Sequence, residues 1–177
     1  MGGLDMDHDA YDADYLRGIL TSVKTVAIVG ASENPVRPSY FVVKYLLAKG
    51  YTVYPVNPGI AGKQLLGVKV YASLADVPKP VDMVEIFRNS EAALAITREA
   101  IAIGAKVVWM QLTVRNDEAA ALAEAAGLQV VMNRCPKIEY GRLSGEIGWA
   151  GVNSGTISNS RGALGAVGAQ NRVLGKQ

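Results

Sequence analysis

The sequence is poor in the side chains that carry most protein chemistry. Its 177 residues include one cysteine, Cys135, and one histidine, His8. A single cysteine excludes an internal disulfide framework and a cysteine-rich metal site, so we expect no bound metal. A single histidine excludes most catalysis that relies on histidine as a general base.

Long apolar runs and a strong net charge are also missing. No apolar run approaches the roughly 18 residues that suggest a membrane-spanning helix. The acidic N-terminus lacks the basic and apolar parts of a secretion signal, so we expect a cytoplasmic protein. The net charge of +2 is too small to favour nucleic acid or a membrane surface as the main partner. Half of the residues are apolar, which is typical of a globular chain with one core.

What is present falls into three segments of different composition. Residues 1–14 hold five aspartates and no lysine or arginine, and we interpret them as an acidic, solvated lead-in. We expect His8, within this lead-in, to be solvated and without a catalytic role. Residues 15–143 carry the regular apolar pattern of a folded domain. Residues 144–177 are rich in glycine, which predicts a C-terminal arm that Trp149 would anchor to the body or to a second subunit.

Strand and helix patterns alternate through the folded domain. Continuous apolar, β-branched runs that end in glycine or proline predict strands buried on both faces. Between them, apolar residues recur at helical spacing and glycine follows the last one, which predicts helices with glycine stops. The expected strands are 25–30, 51–56, a short 68–71, 81–87, 106–111 and 128–132, and the expected helices are 14–22, 39–49, a single turn at 73–76, 90–103 and 116–126.

This alternation predicts the fold class. Strands that alternate with helices indicate right-handed βαβ units. We therefore expect an α/β protein with a Rossmann-like, doubly wound sheet that is mostly parallel and has helices on both faces. Ligands bind such sheets outside the carboxyl ends of the strands. The segments that should border a site are 30–39, 56–59, 87–90, 111–115 and 133–136.

The first of these segments has the composition of an anion site. Gly30 ends the first strand, Ser32 and Ser39 offer hydroxyl donors, and Arg37 offers a guanidinium group. Small-residue turns and the N–H groups at a helix start bind anions, and a guanidinium pairs with phosphate. A phosphate-bearing ligand is therefore expected. The alternative is that Gly30 only makes a tight turn and Arg37 is a surface residue.

The segment is not the fingerprint of a nicotinamide dinucleotide site. That pattern would place glycines where this chain has Ser32 and Pro35. It would also place an acid, for the ribose hydroxyls, where this chain has Asn57. Both differences weaken the dinucleotide interpretation without excluding it.

Three further residues allow two interpretations each. Arg88 contacts an anion or forms a surface salt bridge with Glu85 or Glu91. Phe87 stacks on a base or fills the core. Cys135 is a small buried side chain, or a thiol that faces a ligand thiol and forms a reversible mixed disulfide.

Seven segments, taken in order, resemble the small stand-alone CoA-binding proteins. These proteins are similar in fold to the nucleotide-binding domain at the start of the succinyl-CoA synthetase alpha subunit. Together the segments cover about residues 15–143. They are VAIVGAS (26–32), NPVRPS (34–39), YTVYPVNP (51–58), YASL (71–74), VDMVEIFR (81–88), AIAIGAKVVWMQ (100–111) and VVMNRCP (130–136).

The resemblance implies coenzyme A as the ligand and assigns parts of the site. One departure is Leu112-Thr113, where members often carry glycine, so the pantetheine end of the groove is expected to differ. The resemblance places the phosphates at Gly30, Ala31, Ser32, Arg37 and Ser39 and the adenosine beside Asn57 and Pro58, with Phe87, Arg88, Met110 and Gln111 lining the rest of the groove. Asn34 in the first loop and Cys135 at the site edge complete the expected set.

The expected function is the binding of CoA or an acyl-CoA without catalysis. A synthetase would need an ATP-handling domain and a phosphorylatable histidine in the body of the domain, and neither is present. One alternative is a redox sensor that reads NADH, although the sequence has no DNA-binding winged helix. Another is a small enzyme that uses Cys135, although no second histidine is available as its base. The arm at 144–177 would close a homodimer or dock on an acyl-CoA enzyme.

Overall fold

The computed structural model describes residues 6–146, and the fold is organised around a central sheet. The helices are α1 (Ala13–Ser22), α2 (Pro38–Ala48), α3 (Ala93–Ala102), α4 (Asp117–Ala125) and α5 (Pro136–Ser144). The strands are β1 (Thr25–Val29), β2 (Thr52–Val56), β3 (Gln64–Leu65), β4 (Val68–Lys69), β5 (Met83–Ile86), β6 (Val107–Met110) and β7 (Gln129–Val131).

Five strands form one parallel sheet in the order β2-β1-β5-β6-β7. The chain therefore builds outward from β1 to β2, returns to β5 on the other side of β1, and continues outward to β7. This reversal of winding direction between β1 and β5 is the switch point of a doubly wound sheet. The predicted Rossmann-like α/β fold is confirmed. A separate antiparallel pair, β3 and β4, lies between β2 and β5 in the chain.

Two apolar layers cover the sheet. Every residue of β5 and β6 is buried, as expected for apolar parallel strands in the middle of a sheet. Helices α1, α2 and α5 pack on one face and α3 and α4 on the other. Within residues 6–146, no helix is both long enough and apolar enough to cross a membrane.

Helix α5 was not predicted from the sequence. It begins after Cys135 with Pro136 in its first turn and ends at Gly145, which adopts a left-handed conformation. Its charged residues and the central Gly141 interrupt any apolar stripe, so its local pattern is weak. Packing of Tyr140, which is buried in the core, stabilises it instead. Trp149 and the rest of the predicted arm from residue 147 onward lie outside the described residues.

The prediction that His8 is solvated is wrong. Its imidazole is only 11% exposed, with Nε2 3.0 Å from a carboxylate oxygen of Glu124. Nδ1 lies 2.8 Å from the hydroxyl of Tyr11, and this hydroxyl accepts a hydrogen bond from the Met132 N–H at 2.7 Å. Tyr11 stacks on Tyr15 and packs against the core, which brings the lead-in onto the body. The acidic composition alone does not reveal this tertiary contact.

Candidate functional site

A cleft of about 740 Å³ opens at the switch point, at the carboxyl ends of the neighbouring strands β1 and β5. Its wall comes from the segments that follow β1, β2, β5 and β6. Four of the five segments expected from the sequence therefore meet at one place. The lining residues are Gly30, Ala31, Ser32, Arg37, Pro38, Ser39, Asn57, Phe87, Arg88, Asn89, Gln111, Leu112, Thr113 and Val114.

Gly30 starts the first loop in a conformation that other residues rarely adopt. Its φ is +94°, and a Cβ at this position would lie 2.9 Å from the carbonyl oxygen of Phe87. Its N–H donates to the carbonyl oxygen of Val56 at 2.9 Å. Only glycine combines this φ with so close an approach to the end of β5. The tight turn brings the first loop directly over the switch point.

The first loop delivers the start of α2 to the cleft. Arg37 is the N-cap of α2 and makes no side-chain cap bond, and Pro38 occupies the first turn. Ser39 is buried and lines the cleft. The N-terminal N–H groups of a helix carry a partial positive charge, which is available here because no cap side chain covers it. The geometry suits a bound anion.

Two arginine side chains add positive charge to this wall. Arg37 and Arg88 are both exposed, and within the described part of the chain neither guanidinium lies within salt-bridge distance of a carboxylate. The alternative that Arg88 pairs with Glu85 or Glu91 is therefore wrong, since Glu85 is wholly buried. The stem of Arg88 packs over Gly30, with Cδ 3.1 Å from the ideal Cβ position.

The side-chain amide of Asn57 bonds backbone groups of the cleft wall and is not left free for a ligand. Its Nδ2 donates to the carbonyl oxygen of Ala31 at 2.8 Å, and its Oδ1 accepts from the N–H of Gly59 at 2.8 Å. Both ends of the amide are thus engaged in joining the first loop to the turn after β2. At the position where a dinucleotide site has a ribose-binding acid, this chain has a structural brace.

Asn34 has a similar local role and does not line the cleft. Its Oδ1 accepts from the N–H of Val36 at 3.1 Å, and its own N–H donates to Oγ of Ser32 at 3.1 Å. These bonds shape the first loop as an Asx turn. Pro58 is exposed beyond the cleft wall.

Met110 and Cys135 lie behind the wall rather than in it. Met110 is buried among the side chains of the α3 and α4 layer. Cys135 is 1% exposed and belongs to the opposite layer. Burial raises the pKa of its thiol, as does the carboxyl of Glu85, and the Gln111 amide and the N–H groups at the start of α5 partly oppose this rise. The raised pKa and the burial favour the interpretation of Cys135 as a small core side chain.

Phe87 contributes to the core and also borders the cleft, while its stacking on a base stays a prediction. Its ring is half-buried and packs against the core layer of α1, α2 and α5, and the residue also lines the cleft. Leu112 and Thr113, which the sequence marked as a departure from the family, line the cleft, and so do Pro38, Asn89 and Val114, for which the sequence suggested no individual role. Only the position of their segments after strands could have indicated them.

The fold is that of a doubly wound α/β protein, with a cleft at the switch point whose lining includes two arginines. Among residues 6–146, no group of three histidine, cysteine or acidic side chains is arranged to hold a metal ion. A family model described as a CoA binding domain matches residues 24–141. The chain belongs to this family, as the resemblance of its segments implied.

Relatives include a stand-alone protein and part of an enzyme subunit. The chain is 36% identical over 125 residues to YneT of Bacillus subtilis (strain 168), covering 71% of this chain and 91% of that protein. It is 34% identical over 93 residues to the alpha subunit of ADP-forming acetate–CoA ligase I of Pyrococcus furiosus, covering 50% of this chain but 20% of that subunit. A solved structure of a Pyrococcus horikoshii OT3 protein superposes with a TM-score of 0.73 at 41% identity, over 80% of this chain and 99% of that one.

Proposed function

We propose that the cleft binds CoA or an acyl-CoA and that the protein carries out no reaction of its own. The phosphates lie on the first loop and the start of α2, and the pantetheine arm runs toward the loop after β6. The observation that carries this proposal is the pair Arg37 and Arg88. Both line the cleft and have no carboxylate partner within residues 6–146, beside a helix start without a side-chain cap.

The charge of CoA matches this arrangement. CoA carries a diphosphate and a 3′-phosphate on its nucleotide half, whereas the pantetheine arm is neutral. Guanidinium groups and helix N-terminal N–H groups are the phosphate partners that proteins use most readily. A ligand with a charged half and a neutral half fits a cleft whose cations lie around the switch point and whose far wall holds Gln111, Leu112 and Thr113.

The positions of the reactive side chains support the part of this proposal that concerns catalysis. His8 contacts Glu124 and Tyr11 and does not line the cleft. Cys135 is buried behind the wall with a raised pKa. A nucleophile needs an adjacent base as well as access to the ligand, and the residues that line the cleft offer hydroxyl groups but no histidine, carboxylate or lysine as that base.

Calorimetric titration of CoA, acetyl-CoA, dephospho-CoA and NADH into the reduced protein tests the proposal. We expect CoA to bind and dephospho-CoA, which lacks the 3′-phosphate, to bind more weakly. Comparable affinities for CoA and acetyl-CoA would identify the shared nucleotide and arm as the recognised part. Binding of NADH without binding of CoA would overturn the proposal and favour the redox-sensor alternative.

A further inference from the structure

A polar cluster behind the cleft contains three buried oxygen atoms that accept no hydrogen bond within residues 6–146. Both carboxyl oxygens of Glu85 and Oε1 of Gln111 are buried, and none has a hydrogen-bond partner within residues 6–146. Glu85 is wholly buried in the central strand β5, and Gln111 is 6% exposed in the cleft wall. Buried acceptors without a donor are strongly unfavourable, so three of them on one face of the sheet require an explanation.

The strand register places these oxygens on one face of the sheet. Glu85 is paired with Trp109, and Gln111 follows Trp109 by two positions. The N–H of Gln111 donates to the carbonyl oxygen of Ile86, so the ladder continues to this residue. Side chains two positions apart share a face, and diagonal neighbours on adjacent strands are within reach of long side chains. Cys135 joins the cluster, because both Glu85 and Gln111 affect the pKa of its thiol.

We propose that Glu85 carries a proton and donates it in a hydrogen bond to Oε1 of Gln111, which orients the Gln111 amide in the cleft wall. A carboxylic acid can donate to an amide oxygen, whereas a carboxylate can only accept. Burial raises the pKa of Glu85 well above its ordinary range, in agreement with a neutral acid. Glu85 is a positioning residue, and Gln111 is the residue that meets the ligand.

The ligand part of this inference rests on the proposed function. With Oε1 engaged behind the wall, the amide N–H groups of Gln111 are left for the Cys135 sulfur and for an acceptor on the ligand. The carbonyl oxygens of the pantetheine arm are such acceptors. Gln111 would therefore recognise the arm, while Arg37 and Arg88 recognise the phosphates.

The surrounding ionisable groups leave Glu85 without an ionic partner. Burial is the cause of its raised pKa, and Cys135 is the group of this face whose own pKa responds to it. Lys137 on α5 has its pKa lowered by burial. Other charged or titratable groups of α2, of α5 and of the segment just after α5 pair with one another: Tyr45 and Lys49 with Glu146, and Arg142 with Glu139.

Two substitutions separate positioning from packing. Glu85→Gln retains a hydrogen-bond donor for Oε1 of Gln111. Glu85→Met has a side chain of similar length but no donor. We expect the Gln variant to bind CoA at pH 7 within about two-fold of the unmodified protein, and the Met variant to bind about ten-fold more weakly. Adenosine 3′,5′-bisphosphate, which lacks the arm, should bind equally to all three. Equal CoA affinities of the two variants would overturn the proposal.

The pH profile provides a second readout. As pH rises, Glu85 loses its proton and the affinity of the unmodified protein for CoA should fall, while the affinity of Glu85→Gln should not fall in parallel. Identical profiles would overturn the proposal. Thermal melts establish that each variant is folded at the pH of the titration.

A measurement without ligand keeps this inference separate from the proposed function. Infrared spectroscopy should show the carbonyl stretch of a protonated carboxylic acid at pH 7, and Glu85→Gln should lack it. If the unmodified protein lacks this band, Glu85 is not protonated and the proposal fails, whether or not CoA binds. If the band is present but CoA does not bind, the proposed function and the pantetheine contact fail, while the acid–amide hydrogen bond is supported.

Discussion

The ideal Cβ position of Gly30 lies 2.9 Å from the carbonyl oxygen of Phe87, so the backbone of the first loop packs directly against the backbone that follows β5. This contact joins the two strand ends that border the switch point. The stem of Arg88 lies against the same position, with its Cδ 3.1 Å from the ideal Cβ of Gly30. The shape of the cleft therefore depends on the absence of one methyl group.

The substitution Gly30→Ala should destabilise the protein and reshape the cleft. Alanine is strained at a φ of +94°, and its methyl group would collide with a backbone oxygen that cannot rotate away. We expect a loss of about 2 kcal/mol or more in the free energy of unfolding, together with weaker CoA binding. Chemical denaturation and calorimetric titration measure the two effects.

Gly50→Ala is the matched control for this substitution. Gly50 has a φ of +91°, but a Cβ there meets nothing within 4 Å. It carries the same backbone strain without the collision and does not line the cleft. If both variants lose equal stability and equal affinity, the contact with Phe87 contributes nothing specific.

Arg37→Ala and Arg88→Ala should each weaken CoA binding. A guanidinium–phosphate pair in a partly enclosed site contributes about 1–3 kcal/mol, which corresponds to roughly 5- to 150-fold in affinity. Neither arginine forms an ion pair with a carboxylate within residues 6–146. Replacing either one therefore breaks no ion pair among these residues, and folding stability should change little. Titration calorimetry and thermal melts provide the two values.

Arg98→Ala is the control for nonspecific loss of charge. Arg98 is exposed on α3 and does not line the cleft. The substitution Arg98→Ala should lower the affinity for CoA only slightly and in a salt-dependent manner. Unchanged affinity in both Arg37→Ala and Arg88→Ala would place the phosphates elsewhere.

The fold could be predicted because its strands and helices carry strong local patterns. Buried parallel strands are continuous apolar runs, and the helices between them end at glycine, so their order determines a doubly wound sheet. The same topology rule located the cleft without any side-chain information. Helix α5 was missed because its stability comes from the burial of Tyr140 rather than from its own pattern.

The roles of individual site residues were harder to predict, because they depend on hydrogen bonds between distant segments. Asn57 follows a strand, as a ligand-binding residue would, yet both ends of its amide hold backbone groups. The resemblance implied a place beside the site for Met110, and Cys135 was expected at the site edge, but the structure buries both behind the cleft wall. Sequence position identifies which segments border a cleft, but not which side chains reach it.

Glu85→Gln should stabilise the protein at neutral pH. Burial raises the folded-state pKa of Glu85 above its ordinary value of 4.5, so the folded protein retains a proton that the unfolded chain releases. Stability is therefore highest below that ordinary pKa and falls as pH rises toward the folded pKa, by up to about 1.4 kcal/mol per pH unit. Glutamine does not ionise, and its variant lacks this loss.

Denaturation curves between pH 4 and pH 8 test this predicted pH dependence of the free energy of unfolding. The stability difference between the variant and the unmodified protein should be smallest near pH 4 and increase with pH. A difference that is constant over this range would mean that Glu85 titrates equally in the folded and unfolded states. The pKa of Glu85 would then not be raised by folding.

Tyr11→Phe should loosen the lead-in from the body. The substitution removes the hydroxyl that accepts the Met132 N–H and contacts His8, and it leaves that backbone donor without its acceptor. We expect a loss of about 1–3 kcal/mol in the free energy of unfolding and faster hydrogen exchange at Met132. Tyr54→Phe is the control, because no hydrogen bond links its hydroxyl to the rest of residues 6–146. Equal losses in the two variants would argue against a specific role for the Tyr11 hydroxyl.

Cys135 should react slowly with thiol reagents in the native protein. Its side chain is buried and its pKa is raised, first by burial and then by Glu85, so little thiolate is present or accessible near neutral pH. In denaturant, the one cysteine of the chain should react fully with a colorimetric disulfide reagent. Cys135→Ser should bind CoA nearly as the reduced unmodified protein does. Rapid modification of the native thiol that CoA blocks would instead place Cys135 in contact with the ligand. That result would favour the alternative of an enzyme that uses Cys135.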